Sequence, residues 1–174
     1  LVGNHPFYKP AVTFSINKSD FVTSVSQSLK DDTHKLFNIK NEIEVIPNFI
    51  ELDKNHNDPS TACHRSVMAN KNERIITHIS NFRKVKRIPD IIKIFYNIQK
   101  EIPAKLMMVG DGPEKEKAEY LCQELGIQDK VIFFGNSNEI DKILSYTDLF
   151  LLPSETESFG LAALEAMAWS VPVI

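Results

Sequence analysis

The chain has 174 residues, of which 43% are hydrophobic and 25% are charged, as in an ordinary soluble globular protein. Twenty Lys and Arg residues against 23 Asp and Glu residues give a net charge of −3, so no basic surplus exists to bind nucleic-acid phosphates. No apolar run approaches the roughly 20 residues that a membrane-spanning helix requires. Two cysteines, Cys63 and Cys122, cannot form a disulfide framework, and a cytoplasmic location is expected.

The N-terminal part alternates short helix and strand patterns. In chain order, the predicted elements are a helix over 10–17, a strand over 20–24, a helix over 27–37 and a strand over 42–46. Pro47 and Asn48 close the last strand, and a polar stretch over residues 51–72 follows. Such a stretch is typical of a linker between two domains.

From residue 73 onward the alternation of strands and helices is stronger. In chain order we predict a strand over 74–79, a helix between Pro89 and Pro103, a strand over 105–109, a turn over 110–113, a helix over 114–125, a strand over 130–134, a helix over 139–145, a strand over 148–152, a helix over 159–169 and a strand beginning at 171. Nearly all-apolar strands separated by helices predict an α/β fold with a Rossmann-like, doubly wound parallel sheet. Since the chain opens on Leu1 and ends within a strand pattern, we expect a piece of a longer protein.

Several side chains are expected to be structural. His78 lies within an apolar strand and is expected to pack in the core, and the five histidines show no metal-ligand spacing. The helix after residue 87 is expected to bury one face formed by Ile88, Ile91, Ile92, Phe95 and Ile98. Core positions near the end of the chain are expected at Phe150, Met167 and Trp169, and on a stripe formed by Leu161, Leu164 and Ala168.

The segment over residues 153–168 carries the strongest chemical signal. It follows an apolar strand and opens a helix, and ligands of parallel α/β sheets bind at that edge. A helix N-terminus offers free N–H groups to an anion, and Gly160 has no Cβ to obstruct its approach. Glu157 precedes the helix and Glu165 lies eight residues later. Two carboxylates beside an anion site suit a sugar nucleotide, although spacing alone favours a helix-capping Glu157 and a solvated Glu165.

The whole string resembles a known signature. Glu-x-Phe-Gly-Leu at 157–161 and Glu-Ala-Met-Ala-x-x-x-Pro-Val-Ile at 165–174 resemble the C-terminal motif of family 4 retaining glycosyltransferases, which have a B-type fold of two Rossmann-like lobes. Further similar segments lie at 21–26, 45–48, 109–114 and 131–135. The resemblance implies that residues 1–50 are the C-terminal part of an N-terminal acceptor lobe, that 51–72 cross between lobes, and that 73–174 begin a C-terminal donor lobe.

The resemblance also implies a role for each matching residue. Glu157 would bind hydroxyls of the donor sugar, and Glu165 would bind the ribose hydroxyls. The diphosphate would contact the backbone at Phe159, Gly160 and Leu161, and Lys86 would neutralise it as it leaves. Asn81, Gly110 and Gly135 would line the nucleotide site. No catalytic metal or separate cofactor is implied, because the nucleotide sugar is itself a substrate.

One basic segment departs from the family pattern. The family usually has Arg five residues before the lysine, where this chain has Asn81, so Arg83 becomes the candidate for the missing guanidinium. The alternative for Arg83, and more strongly for Lys84 and Arg87, is a solvated basic loop. A second departure is Ser170, which stands where the family usually has Gly.

Three segments, 24–30, 79–87 and 154–160, narrow the resemblance to the branch that transfers N-acetylglucosamine from UDP-N-acetylglucosamine to L-malate in the first step of bacillithiol biosynthesis. No residue is assigned to malate, and homo-oligomerisation is left open. Alternatives are a family 4 enzyme with another small-molecule, lipid or polysaccharide acceptor, and an inactive nucleotide-binding fragment. A nicotinamide oxidoreductase is disfavoured, because Gly110-Asp111-Gly112 lacks the third glycine of Gly-x-Gly-x-x-Gly. A non-hydrolysing sugar-nucleotide epimerase shares the fold, but its motifs are not seen.

Overall fold

The computed structural model describes residues 5–50 and 65–174. They belong to two compact units that divide between Phe49 and Ile50. Most of the predicted crossing segment, 51–72, lies outside the described residues, so the assignment of lobes stays a prediction. None of the helices in the described ranges is long and apolar enough to cross a membrane.

The first unit contains two helices and a two-stranded parallel sheet. Its elements are α1 (Lys9–Lys18), β1 (Thr23–Ser24), α2 (Gln27–Leu36) and β2 (Glu44–Val45). Ser26 caps α2, because its hydroxyl accepts a hydrogen bond from the Leu29 N–H at 3.2 Å. The predicted order of helices and strands is confirmed, although both strands are shorter than predicted.

The second unit is built on four parallel strands in the order β5-β4-β3-β6. Its elements are β3 (Arg74–Ile79), a 3₁₀ turn (Lys84–Lys86), α3 (Ile88–Glu101), β4 (Ala104–Val109), α4 (Lys115–Glu124), a second 3₁₀ turn (Gln128–Lys130), β5 (Val131–Gly135), α5 (Ile140–Ser145), β6 (Leu149–Phe150) and α6 (Leu161–Ala168). Val173 forms an isolated parallel bridge with Phe150, where the sequence predicts the next strand. The predicted α/β parallel fold is thus confirmed.

Both faces of this sheet are covered, which explains why its strands are apolar throughout. On one face, α3 buries the residues predicted from its periodicity, while Ile98 is only partly buried. On the other face, Ile75, Met107 and Val109 pack against Ile143 and Tyr146 of the α5 region. A parallel sheet with two buried faces leaves its loops at the carboxyl edge as the place for a site.

The face of α6 that packs against the sheet differs from the prediction. Leu161 is 44% exposed and Met167 is 58% exposed, whereas Ala166 is fully buried with Phe150 and Val171. The helix begins at Leu161, two residues later than predicted, and apolar residues occur all around it. Hydrophobic periodicity therefore could not identify its buried face. The core positions of Phe150 and His78 are confirmed, and Trp169 is partly buried.

Candidate functional site at the carboxyl edge of the sheet

Two loops leave the carboxyl ends of neighbouring strands. The first loop, residues 80–87, follows β3, and the second loop, residues 151–160, connects β6 to α6. β3 and β6 pair in parallel through Ile76 with Leu149 and Thr77 with Phe150. Parallel pairing brings both loops to the same edge of the sheet, and the Glu155 N–H donates to the carbonyl of Val85 at 2.9 Å. The two loops therefore form one connected surface.

Each loop contributes one member of an ion pair. The ammonium of Lys86 donates to Oε1 of Glu157 at 2.6 Å. Only 18% of the Lys86 side chain and 27% of the Glu157 side chain are exposed. The structure thus brings together two of the three residues that the sequence analysis predicts to be catalytic, while the third, Arg83, is not part of this pair. Gly160 occupies the N-cap position of α6, and the carboxylate of Glu157 pairs with Lys86 instead, so the alternative in which Glu157 is a helix cap is wrong.

The first loop rests on the turn that follows β4. The Phe82 N–H donates to the carbonyl of Asp111 at 2.9 Å, and the Glu114 N–H donates to the carbonyl of Phe82 at 2.9 Å. A Cβ on Gly110, whose φ is +120°, would overlap the carbonyl oxygen of Ser80. Gly110 is therefore required for close packing beneath the first loop, which is a role separate from the predicted nucleotide contact.

His78 lies beneath both loops and is fully buried. Its Nδ1 donates to the carbonyl of Leu151 at 2.8 Å, and its Nε2 lies 2.7 Å from Oγ of Ser80. Burial lowers the pKa of His78 to about 4, with the Leu151 carbonyl and Glu157 opposing the shift and Lys86 adding to it. The imidazole is therefore neutral at pH 7. Sequence reasoning placed His78 in the core, but its two contacts depend on the β3–β6 register, which the sequence does not give.

Ser154 is a polar group that sequence reasoning missed. Its Oγ is buried without a hydrogen-bond partner among residues 5–50 and 65–174. An unsatisfied buried hydroxyl costs about 1–3 kcal/mol and is rare in native structures. Ser154 lies in the second loop, three residues before Glu157.

The start of α6 has the geometry expected for an anion site. Gly160 adopts φ 90° and ψ 48°, a left-handed conformation that glycine reaches without strain. A Cβ there would have Ala163 Cβ at 3.9 Å as its nearest neighbour, so the backbone is open to approach. The first N–H groups of a helix lack intrahelical acceptors and carry partial positive charge. Phe159, Gly160 and Leu161 thus lie at the N-terminal end of α6, and their contact with a diphosphate stays a prediction.

The remaining candidates occupy different surroundings. Glu165 lies within α6, where burial and the charge of Asp141 raise the pKa of its carboxyl. Asn81 and Arg83 are exposed in the first loop, and Arg83 makes no ion pair within the described ranges. Arg87 is paired with Asp90 at 2.7 Å beside the start of α3, which supports the solvated-loop alternative for that residue.

The last candidate, Gly135, ends β5 in a left-handed conformation with φ +65°, and a Cβ added there would meet no atom within 4 Å. Its carbonyl accepts a hydrogen bond from the Gly110 N–H at 2.8 Å, which links the ends of β4 and β5. Across residues 5–50 and 65–174, no group of three or more His, Cys, Asp or Glu side chains is arranged to hold a metal. Burial raises the pKa of the Cys122 thiol to about 11, so it is not an activated nucleophile.

The chain is similar in sequence to a known protein family and to several of its members. Residues 60–174 match the family model described as glycosyl transferases group 1. The chain is 41% identical over all 174 residues to N-acetyl-alpha-D-glucosaminyl L-malate synthase of Bacillus anthracis, and it covers 46% of that protein. It is 32% identical over 146 residues, 79% of its length, to alpha-monoglucosyldiacylglycerol synthase of Streptococcus pneumoniae, of which it covers 33%.

The fold is also found among solved structures. The crystal structure of Anabaena Alr3699/HepE in complex with UDP and glucose has a TM-score of 0.82 at 21% identity, with 95% of this chain and 46% of that chain covered. The chain therefore spans about half the length, or less, of these relatives. This likeness confirms the predicted partial two-lobe B-type fold. The family match over residues 60–174 and the 41% identity over the whole chain show that the chain belongs to the group 1 glycosyl transferases.

Proposed function

We propose that the full-length protein transfers N-acetylglucosamine from UDP-N-acetylglucosamine to the hydroxyl of L-malate, with retention of the sugar's anomeric configuration. The observation that carries the proposal is the ion pair between Lys86 and Glu157, which joins two loops at the ligand-binding edge of the sheet. The choice of substrates rests on the 41% identity to the B. anthracis malate synthase.

Lys86 suits the departing diphosphate. Its ammonium has three N–H donors, of which the contact with Glu157 uses one. It can therefore bind a phosphate oxygen while Glu157 holds it in place. Negative charge grows on the leaving UDP in the transition state, so a fixed cation at this point lowers the barrier.

Glu157 and the start of α6 suit the sugar and the diphosphate. One oxygen of the Glu157 carboxylate accepts from Lys86, and the other can accept a hydrogen bond from a sugar hydroxyl. The open backbone at Gly160 provides N–H groups for phosphate oxygens. Glu165 would bind the ribose, and Arg83 would supply a second positive charge from the first loop.

The acceptor is malate in this proposal, and the oxygen of its hydroxyl replaces UDP on the same face of the sugar. Neither a metal nor a separate cofactor takes part. The alternative is a lipid or other acceptor, which the 32% identity to a diacylglycerol glucosyltransferase of S. pneumoniae favours. With either acceptor, we propose that the reaction takes place in the cytoplasm.

The test is an assay of the full-length protein with UDP-N-acetylglucosamine. We expect UDP release that depends on L-malate and exceeds the release seen with D-malate, L-lactate or diacylglycerol vesicles. Proton NMR of the product should show an α-linked sugar. UDP release that responds to diacylglycerol but not to malate would establish the alternative, and a β-linked product would overturn retention.

A further inference from the structure

We infer that His78 is a positioning residue, whose imidazole fixes the separation between the first loop, which carries Lys86, and the second loop, which carries Glu157. Its effect on turnover rests on the proposed function, whereas its effect on the two loops does not. His78 does not face the expected substrate, since it is fully buried beneath the loops.

The imidazole contacts each loop six residues before that loop's member of the ion pair. Nε2 contacts Ser80, six residues before Lys86, and Nδ1 contacts Leu151, six residues before Glu157. The Leu151 N–H also donates to the carbonyl of Thr77 at 2.9 Å. Both backbone polar groups of Leu151 are therefore held by consecutive residues of β3, and one of those two bonds comes from a side chain.

The chemistry of the two contacts specifies one form of the ring. A carbonyl oxygen only accepts hydrogen bonds, so Nδ1 must carry the proton in the bond to Leu151. In the neutral ring Nε2 is then an acceptor and receives the hydroxyl proton of Ser80. A protonated ring would lose that acceptor and would add a charge close to Lys86. The neutral ring is thus the form that joins the loops.

A histidine that merely fills space would behave differently. The ring of His78 packs near the ring of Phe82, with 6.2 Å between centroids, and an apolar residue of similar volume could keep that contact. His78→Leu removes both polar contacts while keeping bulk. His78→Asn places a side-chain N–H close to the position of Nδ1, so it can keep the Leu151 bond and lose the Ser80 bond. A positioning role predicts that Asn restores part of what Leu loses.

Thr77→Val provides a matched control on the same strand. Thr77 is also fully buried, and its Oγ1 lies 2.7 Å from Oγ1 of Thr147 at the other end of β6. This substitution removes a partly buried hydrogen bond and leaves the contacts of both loops in place. Any loss of activity that follows only from lower stability should therefore appear in Thr77→Val as well.

The experiment uses the full-length protein and two readouts. In the transfer assay, we expect His78→Leu to lower kcat by about 10- to 100-fold, as small displacements of catalytic groups do, and His78→Asn to lower it less. Thr77→Val should stay within about twofold of the wild type. In a Lys86→Ala background the further loss from His78→Leu should shrink to about twofold or less, because the two residues act through one arrangement. Equal losses in both backgrounds would overturn the inference.

The second readout is hydrogen exchange, which does not depend on activity. Exchange over residues 80–87 should accelerate in both His78 variants, because both lose the Ser80 contact. Exchange over residues 151–160 should accelerate more in His78→Leu than in His78→Asn, which can keep the Leu151 bond. Neither loop should change in Thr77→Val. Unchanged exchange in the His78 variants would overturn the positioning role. If the wild type transfers no sugar to any acceptor, the proposed function fails, and the exchange result still decides the role of His78.

Discussion

Nζ of Lys86 lies 2.6 Å from Oε1 of Glu157, although 71 positions separate the two residues along the chain. The contact exists because β3 and β6 are neighbours in the sheet and run parallel. Both side chains are mostly shielded from water, so the pair is less screened than an exposed one. Removal of one member leaves the other charge partly buried without its partner.

The first prediction concerns turnover. Lys86→Ala and Glu157→Gln should each lower kcat by about 100-fold, because each removes an interaction with charge or hydroxyls in the transition state. Lys84→Ala is the matched control, since Lys84 lies in the same 3₁₀ turn and is exposed. It should stay within about twofold of the wild type. Single-turnover kinetics measure all three, and near-normal rates in both site variants would contradict the assigned roles.

Much of this arrangement could be predicted from the sequence, and the rest depends on packing that the sequence does not show. Apolar strands and a glycine before a helix predicted the parallel sheet and placed Glu157 at its edge. The pairing of Lys86 with Glu157, the contacts of His78 and the isolated Oγ of Ser154 all require strand order and register. The buried face of α6 was mispredicted because apolar residues occur on every side of that helix.

The second prediction concerns Ser154. Its buried hydroxyl has no partner in the described ranges, so Ser154→Ala should leave the melting temperature unchanged or raise it. Ser145→Ala is the control, because Oγ of Ser145 donates to the carbonyl of Lys142 at 2.7 Å. That variant should lose about 0.5–1.5 kcal/mol of stability. If the bound sugar nucleotide uses the Ser154 hydroxyl, the KM for that donor should rise in Ser154→Ala but not in Ser145→Ala. A lower melting temperature for Ser154→Ala would contradict the absence of a hydrogen-bond partner for this hydroxyl.

The third prediction compares the stability lost on substituting two glycines that both have positive φ, Gly110 and Gly126. Gly110→Ala should lose at least about 3 kcal/mol, because the new Cβ overlaps the Ser80 carbonyl and the backbone is strained as well. Gly126→Ala meets no atom within 4 Å, so only the left-handed conformation, φ +66°, costs about 1–2 kcal/mol. Urea denaturation of both variants measures the difference, and equal losses would show that the loop yields to the new Cβ.

The fourth prediction follows from the low pKa of His78. The ordinary pKa of histidine is 6.5, and that of folded His78 is about 4. At pH values between the two, His78 binds a proton in the unfolded state but not in the folded state. Stability therefore falls as the pH falls through this range, by roughly 3 kcal/mol for a shift of this size. His78→Asn has no such proton, so its stability should depend less on pH between 6.5 and 4. Denaturant titrations at pH 7 and 4.5 test this, and parallel losses in both proteins would contradict it.

The fifth prediction concerns Asp148, which precedes β6 at the amino ends of the strands, away from the candidate site. Burial alone would raise the pKa of its carboxyl. The Ile75 N–H at 2.8 Å and the guanidinium groups of Arg65 at 2.9 Å and Arg74 at 3.1 Å outweigh burial and hold the pKa below its usual 3.8. A lowered pKa contributes stability at pH values above 3.8, and that contribution is lost as the pH falls through the folded-state pKa.

Asp148→Asn should therefore lose about 1.5–3 kcal/mol at pH 7, and the difference from the wild type should narrow below pH 4. Asp90→Asn is the matched control, because both side chains of the Arg87–Asp90 pair, at 2.7 Å, are more exposed than those of the Arg65–Asp148 pair. Its loss should stay below about 1 kcal/mol, as for other exposed ion pairs. If the two variants lose the same stability at pH 7, the three hydrogen bonds to Asp148 stabilise the fold no more than one exposed ion pair does. If instead the Asp148→Asn difference persists unchanged below pH 4, its cause is packing and not the carboxylate charge.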